Sequence, residues 1–129
     1  QCDSVEDVLS KSDFVSIHCP GGESTYHLIN TKSLACMQPH AFLINTARGD
    51  VVDNDALIAA LENKVIAGAG LDVFEGEPNL KKEFLKFENV VLLPHLGSAS
   101  RETRIAMGMR VVDNLDAFFS GKEPGDRVA

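Results

Sequence analysis

The stretch AFLINTARGDVVDND, residues 41–55, decides the fold because it joins a strand, a turn and the start of a helix. Its apolar opening, Ala41 to Ile44, predicts a buried β-strand. The turn that follows contains Arg48 and Gly49, and Asp53 is suited to cap the next helix. A cation therefore follows the end of a strand, which is where ligands bind in open α/β sheets.

Two later stretches repeat this layout of an apolar strand followed by chemically active side chains. Val65 to Val73 predicts a strand that contains Asp72 and leads to Glu77. Asn89 to Leu93 predicts another strand, and His95 follows it. Right-handed connections place the carboxyl ends of parallel strands at the same edge of a sheet. We therefore expect these side chains to meet the cation of the first turn.

The earlier part of the chain continues the alternation of strands and helices. Phe14 to His18 predicts a strand, with His18 as a hydrogen-bonded core residue. Short helices are predicted over Ser4–Ser10 and over Thr31–Met37, the latter capped by its first residue. This alternation predicts the α/β class with a doubly wound parallel sheet.

A long helix closes the pattern. It is predicted to begin at Ser98 or Ser100 and to run to about Phe119, with Gly121 ending it. The residues expected to face inward are Ile105, Met109, Val112, Leu115 and Phe119.

Composition limits the classes of partner. The 129 residues are 44% hydrophobic and carry a net charge of −7, which argues against nucleic acid or an anionic membrane as the main partner. No apolar run reaches the ~18 residues of a membrane span. Cys2, Cys19 and Cys36 are too few and too widely spaced for a disulfide framework or a zinc site, so we expect a reducing, cytoplasmic compartment. Because the chain begins with Gln1 in a mid-domain pattern, we expect it to be a fragment.

Arg48 and His95 are the strongest candidates for chemistry. An arginine at a strand end can grip a carboxylate with two parallel hydrogen bonds, although arginines in turns are more often solvated surface charges. A histidine between Pro94 and a helix start can act as a general acid or base, although a lone histidine is more often structural.

Two carboxylates complete the set. Glu77 can orient an imidazole and keep its proton available, or it is simply an exposed acid. Asp72 is either a turn cap or an acceptor for a cofactor amide. Gly68 to Gly70 lacks the third glycine of a dinucleotide-binding loop, and no spacing typical of metal ligands is present. We assign no role to His27 and His40, which fall in polar turns.

Four motifs in a fixed order carry a family resemblance. They are Ser12–Pro20, Asn45–Gly49 with Val52-Asp53, Gly70–Glu75 with Glu77-Pro78, and Pro94–Ala99. Together they resemble the C-terminal part of the nicotinamide-binding domain of the D-isomer-specific 2-hydroxyacid dehydrogenases. The resemblance implies one half of a Rossmann-like sheet in residues 1–119, with residues 120–129 as a tail returning toward a substrate domain.

The resemblance also implies a role for each candidate. Arg48 would bind the substrate carboxylate, His95 would exchange a proton with the 2-oxygen, Glu77 would pair with His95, and Asp72 would accept a hydrogen bond from the nicotinamide carboxamide. The implied reaction interconverts a small 2-hydroxy acid and a 2-oxo acid with NAD or NADP. The implied cofactor-binding residues are Cys19, Pro20, Thr46, Ala47, Arg48, Asp72, His95, Gly97 and Ser98.

The resemblance also implies what lies elsewhere. The family's glycine-rich phosphate loop would precede this chain, so we expect the 129 residues alone to have no useful turnover. The strand Phe14–His18 would then form an open apolar edge, which favours self-association, and we expect a homodimer. Gly21-Gly22 stands where bulkier residues are expected.

Several functions stay open within this fold. The motifs most resemble the glyoxylate/hydroxypyruvate reductases, with phosphoglycerate dehydrogenase as a close alternative. A non-catalytic, corepressor-like NAD-sensing module is the alternative from another class. Formate oxidation is disfavoured by Glu77, because that branch uses glutamine near the histidine.

Overall fold

A four-stranded parallel sheet lies in the first of two units, which ends at His95, whereas the second begins at Leu96. The computed structural model describes residues 2–128, so Gln1 and Ala129, the last residue of the predicted tail, lie outside the description. The strands lie side by side in chain order: β1 Phe14–Ile17, β2 Phe42–Asn45, β3 Gly68–Leu71 and β4 Val90–Leu92. All neighbouring strands are parallel, which confirms the predicted α/β class and one half of a Rossmann-like sheet.

Helices follow the strands, and their caps are set by local sequence. The α-helices are α1 Val5–Lys11, α2 Thr31–Leu34, α3 Asn54–Glu62 and α4 Arg101–Phe119. Ser4 caps α1, Asp53 caps α3 and Ser100 caps α4, each by accepting a hydrogen bond from a backbone N–H of the first turn. Short 3₁₀ turns occupy Glu23–Thr25, Gly49–Val51 and Lys82–Lys86.

The second helix differs from its prediction at both ends. Its cap is Asn30 rather than Thr31, because the Asn30 side chain accepts from the backbone of Lys32 and Ser33, and the Ser33 hydroxyl accepts from the Asn30 N–H. The helix ends at Leu34 because the following turns tighten to three-residue hydrogen bonds, such as the one from Met37 N to Leu34 O at 3.1 Å.

One cluster of buried apolar side chains links the sheet with α1, α2 and α3. Leu43 at the centre of β2 and Leu57 on α3 are completely buried. Ile58 and Leu61 complete the predicted apolar stripe of α3. This core holds the carboxyl ends of the strands in place, and the candidate residues follow those ends.

His18 lies outside the core, contrary to its prediction. Buried and exposed residues alternate along β1, with Val15 and Ile17 buried and Phe14 and Ser16 exposed. The alternation puts position 18 on the exposed phase, just beyond the last paired residue. His18 is accordingly exposed, and its Nε2 lies 2.8 Å from the Ser16 hydroxyl. The predicted strand over residues 65–73 is also shorter, since pairing covers only Gly68–Leu71.

The second unit contains α4, and none of this helix's residues is buried. The predicted inward-facing stripe is therefore exposed: Ile105, Met109, Val112, Leu115 and Phe119. The reason is that an apolar stripe becomes buried only against another layer, and residues 96–128 form no other helix or strand. Within this unit, Asp126 of the tail accepts hydrogen bonds from Arg110 and Asn114. Among residues 2–128, no helix is both long and apolar enough to cross a bilayer.

Gly49 is required by a close approach of two backbones. A Cβ atom at this position would overlap the main chain of Phe74 and Glu75. We expect Gly49→Ala to lower the free energy of unfolding by about 2–3 kcal/mol, because an added methyl group in this contact forces the backbones apart. Urea denaturation measures the loss. Gly108→Ala is the matched control, since nothing lies within 4 Å of its Cβ position; an equal loss in both variants would contradict the prediction.

Candidate active site

A cleft of about 900 Å³ opens at the carboxyl ends of the strands. Each strand contributes, because the residues that follow β1, β2, β3 and β4 all line it. The lining residues are His18, Cys19, Pro20, Gly21, Thr46, Ala47, Arg48, Gly49, Asp50, Phe74, Glu75, Gly76, Glu77 and His95. Three candidates that are far apart in the sequence, Arg48, Glu77 and His95, therefore share one cavity. Its size is within the range of small-molecule and cofactor sites.

His95 and Glu77 are in direct side-chain contact. The Nδ1 atom of His95 lies 2.8 Å from Oε2 of Glu77, and the other carboxylate oxygen accepts a 2.7 Å hydrogen bond from the Phe74 N–H. The Nε2 atom of His95 has no hydrogen-bond partner among residues 2–128, and the side chain is 48% exposed. The carboxylate thus fixes one ring nitrogen and leaves the other able to meet a ligand.

The backbone of His95 is held in an unusual conformation. Its φ is +56°, in the left-handed region that residues with a Cβ atom rarely adopt. Such conformations cost free energy and cluster at functional sites.

The pKa of Glu77 is lowered, chiefly by the hydrogen bond to His95 and further by the hydrogen bond from the Phe74 N–H. Partial burial and the negative charge of Asp72 act in the opposite direction and only partly offset these effects. Glu77 is therefore kept as a carboxylate, which is the form that supports an imidazolium.

This shift predicts a dependence of stability on pH. Because the folded-state pKa of Glu77 lies below its unfolded value, its stabilising effect is present above pH ~4.3 and is lost as pH falls through the folded pKa. The difference in unfolding free energy between the parent chain and Glu77→Gln should therefore shrink as pH is lowered from 6 toward about 3. Urea titrations at several pH values measure it. Glu88→Gln, at an exposed acid that forms no ion pair among the described residues, is the control.

Arg48 lies in the turn after β2, and Asn45 shapes that turn. Asn45 is buried, its amide donates to the Arg48 carbonyl at 2.9 Å, and its carbonyl oxygen accepts from the Ala47 N–H at 3.1 Å. The guanidinium donates to the Ala47 carbonyl at 2.7 Å and is otherwise exposed in the cleft. No role for Asn45 was predicted from the sequence. An asparagine at the end of a strand and before a turn is the available signal.

The predicted cofactor-binding residues divide into two groups. Cys19, Pro20, Thr46 and Ala47 line the cleft together with Arg48 and His95. Asp72 is buried next to the cleft but is not part of its lining, and its N–H donates to the Asn45 carbonyl at 2.9 Å. Gly97 and Ser98 belong to the second unit, and their roles stay predictions.

Contacts with the Arg48 turn explain why glycine, which has no Cβ atom, occupies position 21. A Cβ atom on Gly21 would lie 2.5 Å from Oδ1 of Asp50 and 3.0 Å from the Arg48 Cβ atom. The N–H of Gly22 donates to Oδ2 of Asp50 at 3.0 Å, while Oδ1 is buried without a hydrogen-bond partner among residues 2–128. The backbone after β1 therefore lies directly against the Arg48 turn.

The lining residues fit the nicotinamide end of a dinucleotide. They combine backbone groups and the Thr46 hydroxyl with apolar surface from Pro20 and Phe74. Among residues 2–128, no group of His, Cys, Asp and Glu side chains is arranged to hold a metal ion.

Residues 1–97 match the sequence profile of the NAD-binding domain of the D-isomer-specific 2-hydroxyacid dehydrogenases. The chain belongs to this family. It is 53% identical over 123 residues to a glyoxylate reductase of Thermococcus litoralis, covering 95% of this chain and 37% of that protein. It is 52% identical over 122 residues to glyoxylate/hydroxypyruvate reductase B of Enterobacter agglomerans, covering 94% and 38% of the two chains. The family member described here thus spans well under half the length of these relatives.

Solved structures agree with this assignment. An NADPH-dependent glyoxylate/hydroxypyruvate reductase from Sinorhizobium meliloti, in complex with NADP and malonate, superposes with a TM-score of 0.88 at 48% identity, covering 91% of this chain and 37% of that one. A putative D-isomer-specific 2-hydroxyacid dehydrogenase from a Polaromonas species gives 0.94 at 34% identity, covering 99% and 40%. The family resemblance of the four motifs is confirmed.

Proposed function

We propose that the complete protein carrying this chain reduces a small 2-oxo acid to a 2-hydroxy acid with NADH or NADPH, and catalyses the reverse oxidation. The observation that carries this proposal is the 2.8 Å pair of His95 and Glu77 in the same cleft as Arg48. The similarity to glyoxylate and glyoxylate/hydroxypyruvate reductases favours those two substrates. Overall, the 2-oxo acid, a hydride and a proton combine to give the 2-hydroxy acid.

Arg48 binds the substrate in this mechanism. A guanidinium offers two parallel N–H groups to a carboxylate. Its positive charge also polarises the adjacent 2-oxo group. The Asn45 contacts fix the backbone of the turn that carries Arg48, and the hydrogen bond to the Ala47 carbonyl orients the guanidinium.

His95 supplies the proton. In the reduction, Nε2 donates it to the 2-oxygen while Nδ1 stays bound to Glu77, and in the oxidation the same atom takes the proton back. Glu77 stabilises the protonated ring and holds its orientation. The nicotinamide cofactor, when bound, supplies or accepts the hydride at the substrate's C2.

The cofactor would be held by groups that line the cleft together with Asp72, Gly97 and Ser98. We propose that Cys19, Pro20, Thr46 and Ala47 contact it, that Asp72 accepts from its carboxamide, and that Gly97 and Ser98 approach it. We further propose a cytoplasmic homodimer. In the 129-residue chain alone, β1 is an edge strand with Phe14 exposed, so we also expect this chain by itself to self-associate.

A steady-state assay of the complete protein tests the function. Glyoxylate and hydroxypyruvate are supplied with NADH and, separately, with NADPH, and oxidation of the cofactor is followed by absorbance. Saturable turnover supports the proposal. Cofactor binding without turnover of any 2-oxo acid would contradict it and favour the non-catalytic, NAD-sensing alternative.

A further inference from the structure

A second imidazole–carboxylate pair lies at the cleft, in addition to the one formed by His95 and Glu77. The Nε2 atom of His27 lies 3.0 Å from Oε1 of Glu75, and its Nδ1 atom lies 3.8 Å from Oδ2 of Asp53. The Tyr26 hydroxyl donates to the same Glu75 oxygen at 3.1 Å, and its ring stacks on His27 with centroids 3.9 Å apart. Glu75 lines the cleft, whereas His27 does not.

These contacts join three segments that meet at the edge of the sheet: residues 26–29, 48–52 and 74–77. Gly49 of the second segment packs directly on the backbone of the third. The first pairs with the second through the hydrogen bond from His27 N to Asp50 O at 2.9 Å and the bridge between Ile29 and Val52. The Glu75 side chain links the third segment to the first.

The third segment also carries Glu77. The Phe74 N–H donates to one Glu77 oxygen, and His95 contacts the other. The position of the backbone of residues 74–77 therefore decides whether Glu77 reaches His95. A backbone displaced by 1 Å would stretch that 2.8 Å contact beyond hydrogen-bond distance. A group that fixes this segment therefore acts on the acid/base pair without touching a ligand.

We propose that His27 is a positioning residue of the active site: through Glu75 it holds residues 74–77 against the Arg48 turn and keeps Glu77 in contact with His95. The role in turnover rests on the proposed function, whereas the effect on Glu77 does not. The hydrogen bond to Glu75 raises the pKa of Tyr26. The charged or titratable groups around His27 are Glu75, Asp53 and Tyr26.

Two substitutions separate this role from a general effect on folding. The backbone of His27 has φ +50°, which asparagine tolerates well, but an asparagine side chain is too short to reach Glu75. His27→Asn therefore removes the contact and keeps the turn. His27→Gln retains an N–H donor at greater reach and should restore part of it. His40→Asn is the matched control, since His40 forms an exposed pair with Asp13 outside the cleft.

The first measurement needs no activity. Titration of Glu77 in the 129-residue chain, followed by carbon-detected NMR, should show its midpoint moving up toward that of an ordinary glutamate in His27→Asn, less in His27→Gln, and not at all in His40→Asn. An unchanged Glu77 midpoint in His27→Asn would overturn the proposal, whatever happens to the melting temperature.

The second measurement uses the complete protein after its turnover of glyoxylate has been established. We expect His27→Asn to lower kcat about tenfold with little change in the cofactor's KM. In the plot of kcat against pH, the alkaline limb should move about one pH unit lower. In this proposal His27 acts on turnover through the contact between Glu77 and His95. The double variant with His27→Asn and Glu77→Gln should therefore lose much less kcat than the product of the losses in the two single variants. The role of His27 in turnover would be overturned by a pH profile of kcat that does not move in His27→Asn, or by losses of kcat that multiply fully in the double variant. Absence of turnover in the parent would instead count against the proposed function.

Discussion

Replacing His95 with alanine in the complete protein should lower kcat for glyoxylate reduction by about a thousandfold, with KM changed only a few-fold. A positioned general acid contributes on the order of 10²–10⁴ to the rate, and the contact of His95 Nδ1 with Glu77 at 2.8 Å leaves Nε2 available for this transfer. The loss falls on kcat because the proton is transferred in the transition state rather than during substrate binding. Steady-state kinetics with saturating NADH or NADPH measures it.

His40→Ala is the control for this loss. His40 also pairs with a carboxylate, at 2.7 Å from Asp13, but it is exposed and does not line the cleft. His40→Ala should therefore keep the kcat of the parent protein. An alanine variant at position 95 that retained more than about a tenth of the parent's kcat would leave the His95 pair as a structural contact only.

Arg48→Lys should lower kcat/KM by about a hundredfold although the positive charge is retained. A lysine ammonium is a point charge that cannot form two parallel hydrogen bonds with a carboxylate, and hydrogen bonds to charged groups contribute about 1.5–3 kcal/mol each. The shorter group also loses the guanidinium contact with the Ala47 carbonyl that orients the side chain. Substrate saturation curves measure the loss, which should fall largely on the substrate's KM.

A conservative change at a remote arginine provides the comparison. Arg104 is exposed on α4, and Arg104→Lys should leave kcat/KM within about twofold of the parent. If Arg48→Lys behaved in the same way, charge alone would account for substrate binding, and the proposed two-point contact with the carboxylate would be wrong.

The candidate site was predictable to the extent that it follows strand ends. Arg48, Glu77 and His95 lie within a few residues after apolar runs, and parallel strands with right-handed connections bring such positions to one edge. Their individual roles were inferred from the family resemblance, because spacing in the sequence does not say which carboxylate meets which imidazole.

The pair of His27 and Glu75 shows where prediction stopped. These residues are separated by 48 positions, and His27 lies in a polar turn without any local sign of a partner. Its contact exists because residues 27–29 pair with residues 50–52, and Gly49 lets residues 74–75 approach. Asn45 was missed although its two turn contacts are local, to Ala47 and Arg48, and only its burial at the end of β2 depends on tertiary packing.

The amino-acid sequence by itself determined the α/β class with parallel strands, the caps of α1 and α3, and the family. These features depend on short-range periodicity, cap chemistry and motif order, which are written in neighbouring residues. Only the tertiary structure decided that Glu75 meets His27 and that His18 is exposed. The reason is physical: side chains on different segments become neighbours only when the sheet packs and a residue as small as Gly49 allows two backbones to touch.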